Sequence, residues 1–193
     1  MVHPRPTKEN IMARNTVFRS LHDLGLSTWF GGTLANAVAL NPAAAAADTD
    51  AGSGAVANVG WDRWTPVNAA AIGAHLIGSA GLIAGNSSRL ANQEGVATMA
   101  VAKTALTVAA LAVTARSRAL GRTVSEHTAV PVQSGARPSD ATPPAVAAAQ
   151  KQLALLQWVV PALTGALVVV SSFAGEQQRP SEVRKGIAHR LLP

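Results

Sequence analysis

Cysteine is missing from this chain, and charged residues are scarce. The absence of cysteine excludes disulfides, thiolate metal sites and cysteine nucleophiles. Charged residues make up 13% of the 193 residues, whereas an average soluble domain carries about 25%. Because a charge is costly inside a lipid bilayer, this depletion indicates that much of the chain lies in a membrane.

The strong signatures of enzymes are also missing from the sequence. It contains no G-x-S-x-G, no H-E-x-x-H, no Walker loop and no G-x-G-x-x-G pattern. We therefore assign no catalytic residue and expect a protein that is not an enzyme and holds no metal or cofactor.

Four apolar stretches have the length of a membrane span. A helix needs about 20 mostly apolar residues to cross a hydrocarbon core of about 30 Å. The sequence predicts an all-α integral membrane bundle of four transmembrane helices over residues 21–174, with short basic amphipathic tails at 1–20 and 175–193. The predicted spans are Leu21–Leu40, Pro66–Gly85, Gly95–Ala115 and Leu153–Phe173.

The first two connections differ in length. Residues 48–65 are predicted to form a polar loop that closes with Trp61 and Trp64, two amphipathic aromatics that favour the membrane interface. Pro66 then opens the second span, at a first-turn position where proline is tolerated. Residues 86–94 form a tight polar connection, which predicts an antiparallel hairpin of spans two and three.

The third connection, residues 116–152, is the longest. Its prolines among small and polar residues predict an irregular, flexible middle. Arg116, Arg118 and Arg122 are expected to extend the third helix beyond the membrane. Pro161 lies inside the fourth span, where it predicts a kink.

Basic residues concentrate in the tails, and the net charge is +6. Such residues flank apolar spans and meet anionic lipid headgroups, and no basic, aromatic-interleaved surface indicates nucleic-acid binding. The Lys and Arg bias favours cytoplasmic N- and C-termini in a bacterial inner (plasma) membrane. The basic start, the apolar core and residues 43–47 also fit a cleaved secretory signal peptide, which is the alternative for the first span.

Ionisable residues within the spans are the default functional candidates of a membrane protein. Four such residues occur: His22, Asp23, His75 and Lys103. We predict a Lys103–Asp23 ion pair, which would act either as part of a proton or ion relay or as a structural pair. His75 would ligate a haem or metal, shuttle a proton, or hydrogen-bond across helices, and its depth differs from that of His22, which makes the two a poor axial pair.

Small residues recur on one face of the second span. Gly81 and Gly85 form a GxxxG pattern, and Gly78 continues a repeat of small residues every four positions. Small residues let helix backbones approach closely in lipid. This face is expected to pack either within the chain or against another subunit.

The segment from His22 to Gly32 resembles the first-helix pattern H-x6-W-[LF]-G-G of the bacterial copper-resistance protein D domain and its four-helix relatives. The resemblance implies a shared four-helix membrane architecture. It also implies that His22 is the family's histidine and that Trp29, Gly31 and Gly32 form a tight helix-packing motif. Copper is not carried over, because Cu(I) favours soft ligands and the chain offers only three methionines.

Two functions follow from these patterns. The first is a non-enzymatic structural or accessory subunit of a larger membrane complex, with other membrane proteins or further copies of the chain as partners. The alternative is a small proton- or ion-coupled transporter that uses Lys103, Asp23 and His75.

Overall fold

Every predicted apolar span lies within helical structure in the computed structural model, which describes residues 15–93, 95–126 and 130–176. These described residues are all-α apart from one short hairpin. The predicted basic tails fall largely outside the described residues. In chain order the elements are α1 (Thr16–Ala35), a π-helical segment (Asn36–Leu40), α2 (Asn41–Ala44), α3 (Asp50–Gly85), α4 (Ser87–Asn92), α5 (Val96–Ser125), β1 (Val132–Ser134), β2 (Arg137–Pro138) and α6 (Pro144–Glu176).

Three helices of the described chain, α3, α5 and α6, are long and apolar enough to cross a membrane. Large apolar side chains lie on their outer faces, among them Ile77, Val101 and Leu155, which are 59%, 69% and 65% exposed. Lipid would cover such residues without cost. The helix α1 is less apolar, because it carries ionisable residues, so the structure supports three spans and leaves the fourth as a proposal.

The helix α1 packs against both α3 and α6, and α6 also packs along α5. Trp29 of α1 is fully buried where the helices meet, in one cluster with Ala71, Ala110 and Val160. The central position of α1 brings its polar residues against α3.

The segment predicted as a polar loop, residues 48–65, is helical from Asp50 onward. The side chain of Thr49 caps this helix by accepting a hydrogen bond from the Gly52 backbone N–H at 3.0 Å. Pro66 therefore lies inside the 36-residue α3 rather than in its first turn. At a rise of about 1.5 Å per residue, α3 is about 54 Å long, so its N-terminal part extends beyond a bilayer core.

The long third connection contains regular structure at both ends and in its middle. The helix α5 continues through the three predicted arginines to Ser125, and α6 begins at Pro144. Between them β1 and β2 form an antiparallel hairpin. A second core cluster of Leu120, Val124, Val146 and Ala149 holds the extended ends of α5 and α6 together. The structure thus has a small head outside the predicted spans.

Neither Pro42, which lies just after the first predicted span, nor Pro161, inside the fourth, ends the helical structure. The π-helical segment directly precedes α2, and Pro42 lies at the start of α2. The helix α6 runs continuously through Pro161 to Glu176. Thr164 donates to the Val160 carbonyl at 2.9 Å one turn later.

Candidate functional site

Two glycines bring the backbones of α1 and α3 into direct contact. A Cβ atom added at Gly25 would meet the Ala71 carbonyl oxygen and would lie 2.5 Å from the His75 backbone nitrogen. A Cβ atom at Gly78 would lie 2.6 Å from the Phe18 carbonyl oxygen. Because only glycine fits at both positions, the two helices cross at very close range.

The small-residue face of the second span is used within the chain. Added Cβ atoms at Gly81 and Gly85 would meet the Phe18 ring and the Asn15 side chain, both beside α1 or within it. Gly32 lies against the Trp64 indole, as a tight packing role requires, whereas no atom lies within 4 Å of the Cβ position at Gly31. Gly31 therefore makes no such contact among the described residues. The helix face that contains Gly78 packs within the chain and is thus not available to another subunit.

The close crossing joins two buried histidines. The ring centroids of His22 and His75 are 4.7 Å apart and their planes are tilted by 48°. The two residues are 1% and 0% exposed. The sequence-based interpretation that they lie at different depths was wrong, because α1 begins at Thr16 and His22 is thus well inside the helix.

Hydrogen bonds continue from the two histidines in both directions. His22 Nδ1 pairs with Asp23 Oδ1 at 2.7 Å, and His75 Nε2 lies 3.4 Å from Thr107 Oγ1 on α5. We call these four residues the histidine chain. Asp23 is largely exposed, whereas His22 Nε2 and His75 Nδ1 are buried and have no hydrogen-bond partner within the described part of the molecule.

The predicted Lys103–Asp23 ion pair is not formed. Asp23 pairs with His22 instead, and another ion pair in the described part of the chain joins Arg118 to Asp62 at 3.7 Å. Lys103 is half-buried and lies one helical turn from Thr107. It therefore stands close to the histidine chain without contacting its carboxylate.

Two cavities lie between α3 and α5. The one toward the head, which we call the upper cavity, has a volume of about 350 Å³. The one toward α4, which we call the lower groove, has a volume of about 370 Å³ and includes Lys103 and Thr107 in its wall. Leu111 lines both, and Ile72 faces the upper cavity from α3.

The upper cavity is lined by polar residues, most of which the sequence analysis did not single out. Trp64 Nε1, Asn68 Oδ1, Thr114 Oγ1 and Ser117 Oγ are buried and have no hydrogen-bond partner in the described chain. These residues are neutral and individually ordinary in a membrane helix. The only signal was their spacing, four apart on α3 and three apart on α5, which places each pair on one helix face.

A second set of polar side chains around the upper cavity is joined by hydrogen bonds. Asn41 donates to Gln157 Oε1 at 2.8 Å, and the Trp61 indole N–H donates to Asn41 Oδ1 at 3.0 Å. Gln157 thus joins α6 to α2 by a hydrogen bond. The buried amide nitrogen of Asn36, in contrast, has no partner in the part of the chain described.

The histidine chain has few side chains that could ligate a metal ion. No group of three or more His, Asp or Glu residues able to hold a metal ion occurs among residues 15–93, 95–126 and 130–176. The arrangement contains hydrogen-bond donors and acceptors, and its two histidine side chains are of a type that takes up and releases protons.

No known protein family, curated protein or solved structure matches this chain. The resemblance to the copper-resistance protein D domain therefore remains a hypothesis carried by a few residues of α1. The functional argument rests on the geometry alone.

Proposed function

We propose that the chain is a four-span bacterial inner-membrane protein that works as a small proton- or ion-coupled transporter. The observation that carries this proposal is the buried histidine chain, which ends at Thr107 in the wall of the lower groove. In this proposal α1 is the fourth span, and both termini lie on the cytoplasmic side, as the bias of basic residues favours.

The histidine chain has the parts of a proton path. Asp23 offers an exposed carboxylate, and His22 and His75 place buried rings in contact behind it. Each ring has one nitrogen without a partner among the described residues. This nitrogen can therefore take up a proton without breaking a hydrogen bond. Ionisable residues buried in a membrane cost stability and are functional candidates by default, which favours a functional role for the histidine pair.

Apolar residues lie between the histidine chain and the polar residues of the upper cavity along α3 and α5. Along α5, Thr107, Leu111 and Thr114 follow at intervals of about one turn, and Ile72 precedes His75 by one turn on α3. Leu111 and Ile72 thus lie between the histidine chain and the polar groups of the upper cavity. A carrier requires a closed barrier beside its coupling site, with access from one side at a time.

The proposal is tested by charge movement in reconstituted membranes. We expect pH steps applied to proteoliposomes on a solid support to evoke transient currents, which His75→Asn reduces at least about tenfold. The control is Ser172→Ala, which removes an exposed hydroxyl of α6 that bonds to the Val168 carbonyl. Currents from a folded His75→Asn variant equal to those of the control would refute the proposed path.

A second candidate is the non-enzymatic accessory subunit. It is favoured by the lower groove, whose walls include the exposed apolar side chains of Leu76, Ile83 and Val108. An apolar helix of another membrane protein, or of a second copy, would cover them. Purification from native membranes in mild detergent would then retain a stoichiometric partner, whereas a stable monomer under all mild conditions would count against this role.

A further inference from the structure

The lower groove combines positive charge with apolar walls. Arg89 of α4 and Lys103 of α5 both line it, and no acidic residue is among the described residues of its wall. Its apolar part is formed by α3 and α5 and includes the exposed side chains of Leu76, Ile83 and Val108. The groove thus joins two cations to a surface that lipid chains can cover.

Lys103 offers an ammonium group to the groove. In the described part of the chain this group has no hydrogen bond and no ion pair, and its nitrogen is not one of the buried polar atoms that are closed off from water. The Asp23 carboxylate acts on Lys103 through space, but it pairs with His22 and does not line the groove. A molecule in the groove can therefore contact the ammonium directly.

Arg89 lies at the end of the groove where α4 connects α3 to α5. Neutral side chains hold its guanidinium, because Nε and Nη2 donate to Gln93 Oε1 at 3.0 Å and Nη1 donates to Asn86 Oδ1 at 3.4 Å. Lys103 follows the start of α5 at Val96 by about 10 Å, and helical side chains lean toward the N-terminus of their helix. Both cations therefore serve the end of the groove next to α4, where the predicted spans end.

A third positive charge acts on this end of the groove. Burial is the larger cause, and the charge of Arg19 on α1 the smaller cause, that lower the pKa of Arg89. Arg19 also acts on Lys103. These surroundings disfavour positive charge, and a bound anion would stabilise it.

We infer that the lower groove is a binding site for an anionic phospholipid of the leaflet next to α4, with the phosphate beside Arg89 and Lys103 and an acyl chain along the apolar wall. Apolar contact alone does not select this occupant, because lipid tails are as apolar as the side chains of a helix. A protein helix, the occupant in the accessory-subunit role, would leave the Lys103 ammonium without a counter-ion where an unpaired charge is costly. An anionic headgroup supplies that counter-ion, as it does in basic pockets between other transmembrane helices. The inference goes beyond the proposed function, because the lipid binds whether or not the chain moves protons.

The test titrates single lipids into the delipidated full-length protein in a neutral detergent, and native mass spectrometry counts the lipids bound. Phosphatidylglycerol is anionic, phosphatidylethanolamine has no net charge, and oleate is an anion without a phosphate. We expect phosphatidylglycerol to bind at least about fivefold more tightly than phosphatidylethanolamine, which is the effect of about one basic residue near an anionic headgroup. Equal affinities of these two lipids, or tighter binding of oleate than of phosphatidylglycerol, would overturn the inference. A second copy or another protein that stays bound and excludes phosphatidylglycerol would overturn it as well.

Matched substitutions show whether the lipid is bound in the groove. Lys103→Met should weaken phosphatidylglycerol binding about fivefold, whereas Lys151→Met, which removes an equal charge from the exposed surface of α6, should leave it unchanged. Val108→Trp fills the groove and should remove the tightly bound lipid, whereas Val101→Trp adds the same ring to an exposed position of α5 outside the groove. If the two lysine variants bind phosphatidylglycerol alike, or the two tryptophan variants do, the site is refuted.

Discussion

Replacing Gly25 or Gly78 by alanine is expected to force α1 and α3 apart and to lower the stability of the protein. At both positions the added methyl group meets backbone atoms of the facing helix, which cannot rotate away as a side chain can. The histidine chain lies at this crossing, so the same change should separate the His22 and His75 rings.

The magnitude follows from comparison with glycines that face open space. Alanine in a helix is favoured over glycine by about 0.5–1 kcal/mol, and this gain applies at every helical position. Overpacking a tight contact costs about 1–3 kcal/mol. Gly31 and Gly73 have no atom within 4 Å of their Cβ positions, so alanine there should gain stability. The difference between the two groups of variants is therefore about 1–3 kcal/mol.

Thermal unfolding in a mild detergent, followed by the loss of soluble monodisperse protein, measures this difference. For a chain of this length about 1 kcal/mol corresponds to about 2–4 °C, so the midpoints of Gly25→Ala and Gly78→Ala should lie about 2–12 °C below those of Gly31→Ala and Gly73→Ala. If all four variants unfold at one temperature, the close crossing of α1 and α3 is refuted.

Two double-mutant cycles test which side chains pair in the structure. Asn41→Leu and Gln157→Leu should each destabilise the protein and, because the two amides share a 2.8 Å hydrogen bond, the double variant should lose less than the sum by about 0.5–3 kcal/mol. A purely additive double variant would show that this bond is unimportant. By contrast, Lys103→Met and Asp23→Leu should be additive in thermal unfolding, because the two residues do not pair, and a coupling above about 0.5 kcal/mol would restore the ion pair predicted from the sequence.

The positions of the helices followed from the apolar pattern, but their lengths did not. A span of about 20 residues is what a bilayer imposes, and the sequence marks that part by hydropathy. Outside the bilayer a helix carries polar residues on its surface, as α3 does at the exposed Asp62 and Arg63. The amino-acid composition of such a helix segment is similar to that of a loop, so composition does not distinguish the two. The cap at Thr49 was the readable signal for the start of α3.

The candidate site was predicted as a set of residues but not as an arrangement. Scarcity of charge in the spans identifies His22, Asp23, His75 and Lys103 without any knowledge of packing. Which of them pair depends on where α1 and α3 cross, and that crossing is set by Gly25 and Gly78 together. Sequence spacing within one helix cannot reveal it.

The position of α1 between α3 and α6 has a consequence for biogenesis. Among the long helices that the structure describes, α1 comes first along the chain, and α3 and α6, which pack against it, are synthesised later. A nascent chain that ends before α3 leaves the buried face of α1, with His22, uncovered. If α1 is the fourth span, as proposed, its stable insertion depends on α3, to which residues 36–49 connect it.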